Sequence, residues 1–156
     1  MLPDQQADVR QLLDLLIWDN HERVDAALAL VLTDEHADLP LALRLALGDY
    51  APTADWNQLD FLLASIKDLA LARDIGGDIH DADEDNFDLD EPDAFFAALQ
   101  MLLVDYGYDV WSWETGDDTF CALIARTEDR ERIDVLARRL GLTADNNAAL
   151  TCCAYY

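Results

Sequence analysis

Apolar positions along this chain repeat with a helical period as far as Gly107 and alternate in the two runs that follow it. In DQQADVRQLLDLLIW, Val9, Leu12, Leu13, Leu16 and Ile17 share one helical face, with Asp4 and Asp8 near the end that favours negative charge. A second helix is predicted over DNHERVDAALALVL, with Asp19 or Asn20 as its N-cap. A third spans DLPLALRLALGD and closes at Gly48. The stretches VDAALALVL and LPLALRLAL look like two copies of one short helix, but a solenoid needs three or more, so two packed helices are expected. After the turn signal GDYAPTAD, a longer helix is predicted from about Trp56 to Arg73. Its stripe holds Trp56, Leu59, Leu62, Leu63, Ile66, Leu69 and Ala70. Gly76 and Gly77 stop it. Pro92 suits the first turn of the next helix, capped by Asp90 or Glu91, with Phe95, Phe96, Leu99, Leu102 and Leu103 inward.

Past Gly107 the runs YDVWSWET and TFCALIAR read as two strands joined around GDD, a β-hairpin with Gly116 placed for positive φ. The second run is apolar on both faces, which predicts a strand covered on both sides. TEDRERIDVLARRLG gives a last helix, with Thr127 as N-cap and Gly141 past its end, and AALTCCAYY supplies a closing strand. The expected fold class is α+β in a single domain. A helical part over residues 1–75 and an acidic loop over 76–92 lead into an α-β-β-α(-β) part over 93–156.

At 156 residues the chain is long enough to bury a core without metals or disulfides. No apolar run reaches the roughly 18 residues of a membrane span, and the N-terminal residues lack the pattern of a secretory signal. The three cysteines, Cys121, Cys152 and Cys153, do not form a disulfide framework, so a cytoplasmic location is expected. Charge changes the picture most. Thirty-three acids against ten bases give a formal charge of −23, a field that repels nucleic acid and anionic lipid and attracts basic proteins. Asp over Glu and Arg over Lys, in an Ala/Leu-rich chain, also fits a GC-rich genome or a salt-adapted host.

The densest charge lies in GGDIHDADEDNFDLDEP, residues 76–92, with eight carboxylates and His80. GDIH within it resembles the first motif of calcineurin-like metallophosphoesterases, and DNHE at 19–22 resembles a later motif of that family. Their order is reversed, however, and the further histidines of a two-metal site are missing, since only His21, His36 and His80 occur. From Asp81, the stretch also resembles an EF-hand loop, with Asp81, Asp83 and Asp85 at positions one, three and five. Asn86 replaces the turn glycine and Pro92 the closing Glu, which leaves only weak cation binding. No metal or cofactor is expected, and no catalytic grouping supports an enzyme. His21 and His36 read as surface residues. Seventeen residues without secondary structure are long for a compact domain, so the stretch is either a solvated linker or a binding surface. As a surface it would present Asp78, Asp81, Asp83, Glu84, Asp85, Asp88, Asp90 and Glu91, with Phe87 and Leu89 as apolar anchors. Ile79, Phe87 and Leu89 could equally pin it to the body. Trp111 and Trp113 share one face of the first hairpin strand and suit the core, or an exposed anchor for a partner.

ADWNQLDFLLASIKDL, the acidic spacer and DAFFAALQMLLVDYGYDVWSWETGDDTFCALIARTEDRERIDVLARRLGL together resemble a family of uncharacterised bacterial domains, over about residues 55–142. Asp55-Trp56 matches that family's central Asp-Trp, and Thr115, Gly116 and Asp118 match its Thr-Gly-x-Asp turn. The chain departs from the family at Trp113, where Asp is usual ahead of the Thr-Gly. The resemblance implies a bacterial cytoplasmic protein and supplies no activity. The functional expectation is therefore a non-enzymatic binding protein of the immunity or antitoxin type, acting on a basic protein such as a nuclease toxin. A regulatory or structural interaction domain whose acidity is host adaptation is the alternative.

Overall fold

A computed structural model describes residues 1–35 and 37–156; His36, read above as a surface residue, lies outside the described residues. The architecture is α+β, an antiparallel sheet covered by helices on both faces. The helices are α1 (Pro3–Leu16), α2 (His21–Thr33), α3 (Leu39–Leu47), α4 (Leu59–Ala72), α5 (Pro92–Leu103) and α6 (Arg130–Arg139). The strands are β1 (Thr53–Asp55), β2 (Tyr108–Glu114), β3 (Thr119–Arg126) and β4 (Leu150–Cys152), in the order β1-β3-β2-β4.

The hairpin forms as the alternating pattern predicts. Tyr108 pairs with Arg126 and Glu114 with Phe120, and Gly116 at φ +81° makes the turn. Successive side chains of a strand face opposite ways, so β2 and β3 feed two cores. Trp111, Trp113, Cys121, Leu123 and Ala125 pack with α1, α2, α3 and α6. Val110, Ala122 and Ile124 pack with α4, α5 and the buried Ile79.

Some local expectations change. Asn20, rather than Asp19, caps α2, accepting the Arg23 amide at 3.1 Å. Asp19 instead takes the guanidinium of Arg73 at 2.8 Å. Arg73 also donates to the Leu16 carbonyl at 2.9 Å and stacks 3.4 Å from the Trp18 ring centroid, so it clasps the end of α1 to the end of α4. GDYAPTAD contains a strand as well as a turn, because Thr53–Asp55 pairs along the free side of β3. The α4 helix consequently begins at Leu59, and Trp56 lies outside its stripe. Thr127 does not cap the last helix; its hydroxyl donates to Asp109 at 3.1 Å, and a short 3-10 turn precedes α6.

Candidate interaction surface

The acidic segment is a fixed strap. The expectation of seventeen residues without secondary structure is corrected by two 3-10 turns, Asp78–Asp81 and Glu84–Asn86. The strap leaves α4 through Gly77, whose φ of +112° and closeness to the Tyr106 ring leave no space for a side chain. Ile79 and Ala82, three residues apart, are buried, as the three-residue turn of a 3-10 helix requires. Lys67 Nζ donates to the Ala82 carbonyl at 2.5 Å, and His80 Nε2 donates to the Ile75 carbonyl at 2.6 Å. Further along, Asp83 accepts the Asp85 amide and Asn86 accepts the Asp83 amide, each at 2.9 Å. Phe87 is half-buried with its ring centroid 5.4 Å from that of Phe95, and Leu89 is half-buried beside it. Both pin the strap and so offer a partner only part of their surface.

This anchoring points the acids outward. Asp78, Asp81, Asp83, Glu84, Asp85, Asp88, Asp90 and Glu91 are all exposed. None of them forms a salt bridge among the described residues. The hydrogen bonds that Asp83 and Asp88 accept come from strap amides and fix local turns. The residues that break the EF-hand pattern are occupied elsewhere, Asn86 in its bond to Asp83 and Pro92 in the first turn of α5. Among the described residues, no three His, Cys, Asp or Glu side chains gather as a metal-holding group.

Trp111 and Trp113 are not available as partner anchors. They are 0% and 1% exposed, beneath the helices of the α1/α6 face. The exposed tryptophan is Trp56, at 58%, which the helical stripe had absorbed. Its amide donates to the Asp118 carbonyl at 2.9 Å, so the Asp55-Trp56 and Thr-Gly-x-Asp motifs meet at the hairpin end of the sheet. The signal was the polar Asn57-Gln58 pair between Trp56 and Leu59, which marks a turn before the helix.

The three thiols and one carboxylate, Asp109, are taken up by the fold. Burial pushes the Cys121 thiol up to about 12 and the Cys152 thiol up to about 11, and it raises Cys153 too. Thiols held neutral in this way are poor nucleophiles. Asp109, 0% exposed, is engaged by Arg130 through two bonds of 2.8 and 2.7 Å, by Gln100 at 2.8 Å and by Thr127.

These features define an acidic α+β domain with a two-sided helical cover and a pinned carboxylate strap. The chain belongs to the family described as a domain of unknown function (DUF6630), whose model matches residues 3–147. The match takes in the first three helices as well as the region of resemblance read from the sequence. No curated protein and no solved structure matches the chain. Among the described residues, no helix is long and apolar enough to cross a membrane.

Proposed function

We propose that this domain is a non-enzymatic bacterial cytoplasmic protein that binds a basic protein partner, in the manner of an immunity protein or antitoxin-type inhibitor. The observation that carries the reading is the strap: eight exposed carboxylates, none in a salt bridge among the described residues, on a segment held by buried Ile79 and Ala82 and by the Lys67 bond. A solvated linker has no need of such anchoring. Carboxylates carried on an anchored backbone can stand where the phosphates of a nuclease substrate would sit, so a basic active site is the natural target. Fixing them beforehand also lowers the ordering cost of association. The formal charge of −23 extends the attraction beyond the strap.

The experiment is to purify whichever products of the neighbouring genes are basic and mix each with the domain. The reading predicts a complex on size-exclusion chromatography and suppression of the partner's activity. A neighbouring product that is basic and active, but neither binds nor is inhibited, contradicts it.

A further inference from the structure

The strap ends at Glu91 and Pro92, and there it meets a cleft of about 340 Å³ between the start of α5 and the hairpin turn. This is near the low end of the roughly 300–1,000 Å³ range of ligand sites, a size suited to one side chain or a small ligand. Its lining combines three chemistries. Asp93, Glu114 and Asp117 contribute carboxylates; Phe96, Phe120 and Tyr156 contribute rings. The hydroxyls of Ser112 and Tyr156 are hydrogen-bonded to one another. Among the described residues, no Lys, Arg or His lines the cleft.

We propose that this cleft receives one guanidinium group, an arginine side chain of the basic partner. The inference rests on the partner-binding reading above and names the chemistry that would be held at the end of the strap. A guanidinium is planar, stacks on aromatic faces and directs five N–H donors in a fixed fork. A cleft that offers aromatic walls and several separated acceptors matches that shape better than it matches the compact, strongly hydrated ammonium of lysine. The lining is also set in advance. Asp117 Oδ1 accepts from the Thr115 hydroxyl at 2.7 Å, from the Thr119 hydroxyl at 2.6 Å and from the Thr119 amide at 2.9 Å. These bonds hold the carboxylate in place at the turn and bring its pKa down to about 2, so it stays charged. Phe96 packs edge-on to Phe120 and to Tyr156, with centroids 6.1 and 6.4 Å apart, which fixes the rings.

The test uses the full ¹⁵N-labelled chain, titrated with N-acetyl-arginine methylamide and separately with the corresponding blocked lysine. Amide shifts confined to residues 93, 112–120 and 156 are expected. The blocked lysine should bind several-fold more weakly, and Glu114→Gln should weaken the arginine compound several-fold. Shifts spread evenly over the acidic surface would overturn the proposal, as would equal affinity for the two compounds or a Glu114→Gln variant that binds arginine as before. A second variant, with the eight strap acids changed to Asn or Gln, separates this proposal from the reading beneath it. That variant should keep the arginine shifts. If it does, yet associates with the partner at the unchanged rate, the strap reading fails and the cleft stands. If strap neutralisation slows the partner while no arginine shifts appear at all, the cleft fails and the strap reading stands.

Discussion

Asp109 shows how much one side chain can tie together. The β4 strand pairs with β2 only along Trp111–Trp113, so the Val110 amide lies beyond its reach. Gln100 Oε1 accepts that amide at 2.7 Å, and Gln100 Nε2 donates to Asp109, which in turn holds Arg130. The stretch of β2 that β4 leaves unpaired is thereby closed by side chains from α5 and α6. Removing the cation leaves a carboxylate buried and unpaired, so Arg130→Met should destabilise the fold by about 3–5 kcal/mol in urea denaturation. Burial raises the Asp109 pKa, but the bonds from Arg130 and Gln100 together outweigh it and leave it below the usual value of 3.8. A depressed carboxylate contributes stability above its unfolded pKa and loses it as pH falls through the folded one. Acid unfolding below about pH 4 should therefore flatten in Asp109→Asn, which has no proton to take up. The thiols have the opposite sign. Their raised values favour the neutral folded form, so stability should fall once pH passes the unfolded thiol value of about 8.5. Ellman's reagent at mildly alkaline pH should find Cys121, Cys152 and Cys153 unreactive until denaturant is added; prompt reaction would show that the sheet is open there. None of this network was legible in YDVWSWET, because the partners of Asp109 lie 9, 18 and 21 residues away.

Among the elements, the strap depends on two positions. Gly77→Ala forces a Cβ to within 2.5 Å of the Tyr106 ring at a positive φ, a cost of about 1–3 kcal/mol. Ile79→Ala removes a fully buried side chain and should cost about 2–5 kcal/mol. If the strap is a fixed element, hydrogen exchange in Gly77→Ala should quicken first around Ile79 and Ala82, ahead of the sheet. Exchange unchanged there would mean that the anchor is not Gly77. The helices and the hairpin could be read from the sequence because each carries several apolar residues at one period, as in Leu59–Ala70 or Phe120–Ala125. The strap's 3-10 turns could not, since only Ile79 and Ala82 mark the first of them and their spacing is drowned by acids. Its pinning by Ile79, Phe87 and Leu89 is one of the two readings their apolar side chains allow. The β1 strand escaped for a related reason. Three residues between Pro52 and Trp56 are too few to show alternation, and their pairing with β3 is set by partners some 65 residues further on. Trp56 satisfied the helical period by coincidence while sitting one turn ahead of the helix.

Taken whole, the molecule exposes most of its acids, and two of its cations, Arg73 and Arg130, are drawn into ties that hold the body together. Exposed like charges repel and weaken the folded state, and salt screens them, so the melting temperature should rise as sodium chloride is added. The same screening should act oppositely on partner binding. Attraction over distance raises the association rate, and it fades as the Debye length shrinks from about 10 Å at about 0.1 M salt to about 3 Å at about 1 M. The most direct measurement of the central claim is the association rate with the basic partner across that salt range. It compares the parent with a variant whose strap acids, Asp78 to Glu91, are changed to Asn and Gln. The account predicts a slower association with a flatter salt dependence in the variant and an unchanged circular dichroism spectrum. Equal rates at every salt concentration would contradict it, and would leave the acidity of this chain a global property with no role for the strap.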